Sequence, residues 1–333
     1  MGGVTGLVLV GGFGTRLRPV TYTVPKQLIP VAGRPILYHA LDLLPPEVDR
    51  IVLACGYKAE VFEAYLQANP YPRPVKLVRE TTPLGTGGGL KNVASEATDP
   101  FYLLNGDVIA GFDLEPLFRT LTEEGGLGIL GFVEVEDPSP YGVARFDPAG
   151  RVVEFVEKPS REAAPSRWIN AGVSLWRREV LEAIPPGVAV SFEREILPGL
   201  LPRKVLGMRY RAWWEDAGTP ARLLNAQALL FDHPRTDRLP APSRLDGARV
   251  LPPIAVGAGS SGEGATVGRY VTLGRNVKLR RGARVENSVV LDAAEIGPGA
   301  LVKDSVLGPG VVVAPDERLV GVCRALEDPG QKA

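Results

Sequence analysis

Short apolar runs alternate with amphipathic stretches over the first two thirds of the chain, and each run predicts an element. Leu7–Val10 is continuously apolar and too short for a helix, which predicts a buried strand. Ile36–Leu44 has helical spacing, with Pro35 at its first position and the Pro45-Pro46 pair to stop it. Strands are expected over Ile51–Cys55, Leu77–Arg79 and Phe101–Leu104, and helices over Ala59–Gln67 and, despite its glycines, Gly87–Ala97. Strands separated by helices point to an α/β fold with a mostly parallel sheet covered on both faces. Ligands of such sheets sit beyond the carboxyl ends of the strands. From about 142 to 211 the pattern loosens into strand-rich segments, "GVARF", "VVEFVE", "AGVSLW" and "VLGMRYRA", which read as a substrate lobe.

A Pro- and Arg-rich linker over 233–253 precedes a change of period. Val267, Leu273, Leu279, Val285 and Leu291 recur every six residues, and Val271, Val277, Ala283 and Val289 repeat on the same period. The spacing then slips by one at Ile296 and resumes through Val302, Leu307 and Val313. Six-residue self-similarity predicts a parallel β-helix over 254–333, each hexapeptide forming one face of a coil. A β-meander with accidental alternation is the alternative. The domains expected are therefore 1–232, the linker, and 254–333.

Composition changes this picture little. The 333 residues hold 38 Lys plus Arg against 38 Asp plus Glu, so no global field draws in nucleic acid or anionic lipid. No apolar run reaches the roughly 20 residues of a membrane span, and no basic segment precedes the first apolar run as in a signal peptide. The two cysteines, Cys55 and Cys323, offer neither a disulfide framework nor a zinc site, and a cytoplasmic protein is expected.

The candidate chemistry begins at "LVLVGGFGTRLRPVT", where an apolar strand runs into three glycines, a threonine and two arginines. Glycine lets a backbone approach a ligand closely, and arginine offers a fork of donors that suits phosphate. A Walker loop would end in Gly-Lys-Ser/Thr, where this chain has Gly14-Thr15-Arg16, and a dinucleotide fingerprint would need glycine in place of Leu17. A phosphate-cradling turn of another kind is indicated. Asp107, in "NGD", follows an apolar strand directly, and Asp216, in "WWEDAGTP", lies beside another apolar stretch. Glu157 and Lys158 stand side by side at a strand end, where alternation predicts that they face opposite ways. Packing is the expected use of Trp168, Trp176, Trp213 and Trp214.

"GGFGTRLRPVT" followed by "PKQ" resembles the signature of the nucleoside-diphosphate-sugar pyrophosphorylases, the sugar-1-phosphate nucleotidylyltransferases. "PLGTGG", "NGD", "YGV", "VEKP", "NAG" and "WWEDAGTP" follow in the same order. The resemblance implies a Rossmann-like catalytic domain and makes the β-helix left-handed. It also implies attack of a sugar-1-phosphate oxygen on the α-phosphorus of a nucleoside triphosphate, with release of pyrophosphate. Positioning and charge neutralisation should carry the rate of such a transfer.

By the same resemblance Gly11, Gly12, Gly14 and Thr15 meet the triphosphate, and Arg16 and Lys26 neutralise it. Leu84, Gly85, Gly87 and Gly88 read the base and ribose. Lys158 takes the sugar's phosphate, while Glu157, Asn170 and the backbone of Gly142 take sugar hydroxyls. Asp107 and Asp216 converge on one Mg²⁺, which makes Arg16, Lys26, Asp107 and Lys158 the catalytic set and leaves Glu215 pointing elsewhere. "PKQLIPVAGRPI" resembles glucose-1-phosphate thymidylyltransferases, whereas "PLGTGG", "PSPYGV", "FVEKP" with "INAGVSLW", and "SFEREILPGL" lean to mannose-1-phosphate guanylyltransferases. Adenylyltransferases share several of these features, so base and sugar stay open at this point, with GTP and mannose-1-phosphate favoured.

Three rival readings differ in class. β-Helices of this kind often host acyltransferases with a histidine base, but His39 and His233 both fall outside the coils. The β-helix is expected to serve self-association into a homo-oligomer, or regulation. A catalytically silent regulatory homologue would have lost phosphate or metal residues that remain here. A plain nucleotide-binding module would have no use for "EKP" and "NAG".

Overall fold

A computed structural model of the chain describes residues 3–234 and 244–326, so part of the expected linker lies outside the described residues. The chain divides into two units: Met1–Gly12 with Ala40–Trp214, and Phe13–His39 with Glu215–Ala333.

The first unit is built on a nine-stranded mixed sheet. In chain order its elements include β1 (Val4–Leu9), β2 (Val48–Cys55), α1 (Ala59–Ala68), β3 (Val75–Arg79), α2 (Gly85–Asn92), β4 (Phe101–Asn105), α3 (Glu115–Glu124), β5 (Gly128–Glu134), β6 (Gly142–Phe146), β7 (Val152–Glu157), β8 (Trp168–Trp176) and β9 (Val205–Tyr210). The order along the sheet is β7-β6-β8-β4-β1-β2-β3, with β5 pairing β8 and β9. β4, β1, β2 and β3 run parallel, and β8 pairs antiparallel with β4. The continuous apolar runs occupy this parallel centre, where both faces are covered: Leu7, Val8, Val52, Leu53, Phe101 and Leu104 are fully buried.

Two expected helices end early. The helix expected over Gly87–Ala97 stops at Asn92, and a separate 3₁₀ turn follows at Ala94–Glu96. Ile36 opens a helix that closes at Leu41, three residues short of Leu44, and Pro35 belongs to a short strand before it. The tryptophans pack as expected. Trp176 is fully buried, its Nε1–H donating to Ser174 Oγ at 2.8 Å, and Trp214 Nε1–H donates to the Ala171 carbonyl at 2.9 Å.

In the second unit three parallel sheets of five, five and four short strands follow one another around each coil, consistent with a left-handed β-helix. Ile254 pairs with Val271 and Val271 with Ser288, 17 residues on each time. The hexad slip falls one step earlier than expected. Leu273 is in register with Val290 and Leu307, and it is Val290, not Leu291, that joins the apolar interior. A 17-residue step means one five-residue side among sixes, and the slip keeps the inward row aligned, whereas Val267 pairs with Val285, 18 residues on.

The five-stranded sheet through Ala255, Thr272, Val289 and Val306 has a second property. Strand neighbours of these residues, such as Ile254, Val271, Leu273, Val290 and Leu307, belong to the interior cluster, so this row points outward. The outward row is nevertheless buried. The helix Pro220–Asp232 reaches this sheet, with Gln227 Nε2 donating to the carbonyl of Tyr270. Among the described residues no helix is long and apolar enough to cross a membrane.

Candidate active site

In the first unit the parallel strands deliver their carboxyl ends to one edge. β1 runs on into Val10 and Gly11, β2 into Gly56, and β3 into Glu80. The Glu80 carboxylate lies across all three. A methyl group at Gly11 would stand 3.6 Å from Oε1, one at Gly56 would stand 3.4 Å from Oε2, and one at Gly89 would stand 2.6 Å from Oε1. Oε2 accepts the Leu84 N–H at 3.3 Å, and burial raises this carboxyl above its ordinary range despite that bond. Glu80 escaped the sequence reading because nothing in its spacing marks it. Its importance comes from three strand ends that meet only in the fold.

The glycines of "PLGTGG" have a packing duty. Gly87 and Gly88 both donate their N–H to the Val190 carbonyl, and Val190 donates to the Leu84 carbonyl. Gly85 has φ +69°, and a methyl group there would stand 2.7 Å from Val190 O. Thr86 Oγ1 joins the same segment, donating to Glu193 at 2.5 Å and accepting from Phe192 N–H. The amides of Gly87 and Gly88 thus already have a carbonyl partner within the protein.

"NGD" owes its glycine to a close approach. Gly106 donates to the Leu9 carbonyl at 3.0 Å, and a methyl group on it would stand 2.6 Å from Val10 Cγ1, so Asp107 emerges beside the end of β1. Gly172, with φ +72° at an irregularity in β8, approaches the same turn. A methyl group there would stand 2.9 Å from Asn105 Nδ2 and 2.8 Å from Val108 Cγ2. Asn170 accepts the Gly172 N–H at 3.0 Å and thereby lies near the Asp107 turn. On the neighbouring strands Gly142 pairs with Glu157, and a methyl group at Gly142 would stand 2.8 Å from Glu157 Oε2.

Glu157 and Lys158 do not face opposite ways. Lys158 lies just past β7 with φ +53°, so strand alternation no longer applies, and its Nζ stands 3.3 Å from Glu157 Oε1.

The second unit holds the other residues. Gly14 has φ +63° and caps the 3₁₀ turn Thr15–Leu17, its carbonyl accepting from Leu17 N–H and from Thr21 Oγ1 at 2.8 Å. Thr15 and Arg16 are exposed, and Arg18 stacks over the Tyr22 ring at 4.9 Å. Lys26 opens a later 3₁₀ turn, Lys26–Leu28, and is only 8% exposed. A methyl group at Gly14 would stand 3.4 Å from Lys26 Cβ, so the glycine turn and "PKQ" pack together.

"DAGTP" folds as a helix start. Thr219 caps Pro220–Asp232 by accepting the Arg222 N–H, and Pro220 takes the first helical position, where no N–H is needed. Asp216 Oδ1 accepts from Arg222 Nη1 at 2.9 Å, a partner that the motif reading missed. Glu215 turns away: it accepts from Asn225 Nδ2 at 2.6 Å, and burial pushes its carboxyl pKa up. Asp107 belongs to the first unit and Asp216 to the second. Among the described residues no group of three or more His, Cys, Asp or Glu side chains gathers to hold a metal.

The family model described as nucleotidyl transferase matches residues 5–233. The chain belongs to the nucleotidyl transferase family. A second model, described as the GMPPB C-terminal domain, matches residues 252–325 of this nucleotidyl transferase. A mannose-1-phosphate guanylyltransferase of Mycobacterium tuberculosis is 36% identical over 306 residues, 90% of this chain and 83% of that protein. Mannose-1-phosphate guanylyltransferase 1 of Arabidopsis thaliana is 32% identical over 91% of this chain and 85% of its own length. Among solved structures, HddC from Yersinia pseudotuberculosis complexed with GMP-PN is 28% identical with a TM-score of 0.57, covering 68% of this chain and 98% of HddC.

Proposed function

We propose that this nucleotidyl transferase makes GDP-mannose and pyrophosphate from GTP and mannose-1-phosphate. The observation that carries the choice of base is the Glu80 carboxylate beside the glycine turn. Guanine presents two adjacent donors, N1–H and the 2-amino group, and one carboxylate can accept both. Adenine presents one donor beside an acceptor, and thymine one donor between two acceptors, so each leaves a carboxylate oxygen facing a lone pair. The guanylyltransferase relatives support the same reading.

A mannose-1-phosphate oxygen would attack the α-phosphorus directly, with no covalent enzyme intermediate. The protein's task is to hold two anions together and in line. Gly11, Gly12 and Gly14 let the backbone come close to the triphosphate, and among the described residues nothing beyond its chain neighbours stands within 4 Å of where a Gly12 side chain would begin. Arg16 and Lys26 would meet the negative charge on the triphosphate and on departing pyrophosphate. Lys158 would share its charge between Glu157 and the sugar phosphate, with Gly142, Glu157 and Asn170 serving the sugar hydroxyls. Leu84 and Gly85 would line the base beside Glu80.

Mg²⁺ belongs to this reading. Asp107 and Asp216 offer oxygen donors alone, and two carboxylates, with no third His, Cys, Asp or Glu gathered beside them among the described residues, suit a hard ion that keeps waters and takes phosphate oxygens. When bound, the ion would supply positive charge against the phosphates, and Arg222 on Asp216 Oδ1 would orient that carboxylate. Self-association through the β-helix is supported by exposed Val312 and Val320 on the last coil. A cytoplasmic setting is supported by Cys55 and Cys323, which are both free thiols.

The test is pyrophosphate release with Mg²⁺, crossing GTP, ATP, UTP and dTTP with mannose-, glucose- and N-acetylglucosamine-1-phosphate. Release confined to the GTP and mannose-1-phosphate pair is expected. A preference for dTTP or ATP would overturn the role given to Glu80.

A further inference from the structure

We infer that Cys323, on the last coil of the β-helix, is a positioning residue for the triphosphate-binding segment. The inference rests on the reading of Gly11 to Lys26 as that segment. Cys323 Sγ donates to the Leu17 carbonyl at 3.4 Å, and the Val20 N–H is bonded back to the sulfur. One half-buried thiol therefore joins the end of the turn Thr15–Leu17 to the start of the turn Val20–Tyr22. Short 3₁₀ turns leave backbone groups without partners inside the turn, and a side chain from elsewhere that satisfies them fixes where the turn sits.

Position in the β-helix makes this contact specific. Cys323 pairs with Val306, and so continues the outward row of Ala255, Thr272, Val289 and Val306. Valine or alanine would fill such a row but would neither donate to Leu17 nor accept from Val20. Leu17 is fully buried, and the residue immediately before it is Arg16. A shift of the Leu17 carbonyl moves the backbone from which the Arg16 guanidinium extends, and displacements of about 1 Å in a charge-positioning site cost up to about a hundredfold in rate. Burial raises the pKa of this thiol, so it is a proton donor at neutral pH and not a nucleophile.

The experiment compares wild type with Cys323→Ala and Cys323→Ser in the full chain. Affinities for GTP, ATP, UTP and dTTP are measured by calorimetry, and KM for both substrates by pyrophosphate release. The triphosphate that wild type binds best sets the comparison, so a wrong choice of base does not blur the result. Loss of a weak thiol bond and its acceptor role predicts that Cys323→Ala weakens triphosphate binding by about three- to tenfold. KM for the sugar phosphate should hold, and Cys323→Ser, which still donates and accepts, should recover most of the loss. Thermal unfolding midpoints are read alongside. Unchanged triphosphate affinity in Cys323→Ala would overturn the inference. So would equal weakening of both substrates with a lowered midpoint and no rescue by serine, because that pattern belongs to a merely structural residue.

Discussion

The Arg16 guanidinium and the Asp216 carboxylate flank the bare Cα of Gly218. A methyl group on that carbon would stand 2.6 Å from Arg16 Nη2 and 3.3 Å from Asp216 Oδ1. Two residues that carry opposite charge, 200 positions apart, converge on a residue with no side chain. The glycine of "DAGTP" is thereby explained by close approach.

Gly218→Ala tests that relationship. The new methyl meets the far end of a flexible side chain, so the fold should survive and only the guanidinium should move. Turnover is expected to fall about ten- to a hundredfold, with the unfolding midpoint nearly unchanged. Kinetics and thermal melts on one preparation check both halves.

Glu80→Gln keeps size and removes the charge. An amide can match only one of guanine's two donors, so kcat/KM for GTP should drop about tenfold to a hundredfold. Inosine triphosphate, which lacks the 2-amino group, should lose less than GTP does. Equal losses for both triphosphates would place Glu80 outside base recognition.

Asp107→Asn should lower turnover by about a hundredfold or more at saturating substrates, since a carboxylate facing a hard cation and phosphates is replaced by a neutral group. The circular dichroism spectrum and melting curve should match wild type. Wild-type turnover in this variant at limiting Mg²⁺ would remove Asp107 from the metal site.

Stability should decline on the alkaline side. The Cys55 thiol is pushed up from 9.0 to about 12, by burial first and then by Glu80, Glu60 and Glu63. Tyr71 is pushed from 10.0 to about 12, by burial and then by Asp42. The folded state keeps protons that the unfolded chain releases, so these groups stabilise fully below about pH 9. Their contribution is lost as pH rises towards about 12. Urea midpoints measured at several pH values across that window should fall, and Cys55→Ala should flatten the slope. An unaltered slope in the variant would assign the decline to other groups.

The parts legible in the sequence were those governed by local pattern. Leu7, Val52 and Phe101 lie in the strands their apolar runs predict, because a strand covered on both faces must be apolar throughout. What escaped was set by tertiary contact. The hexad slip fell at Val290 because register with Leu273 decides which residue points inward, and two adjacent apolar residues look alike in sequence. Lys158 turned back to Glu157 because one residue left the strand conformation. Glu80 and Arg222 carry no motif of their own, since their partners come from other strand ends and from a helix start.

The buried outward row of the β-helix bears on how such enzymes diverge and how they are engineered. A free-standing hexapeptide helix can drift towards polar residues on its outer faces, and a designer exchanging one module for another relies on that freedom. Here Ala255, Thr272, Val289 and Val306 must remain small or apolar although they lie outside the coil's own interior. A chimera that imports a foreign β-helix with lysines or glutamates in this row should therefore express as a damaged catalyst, even when its junction and coil count are right.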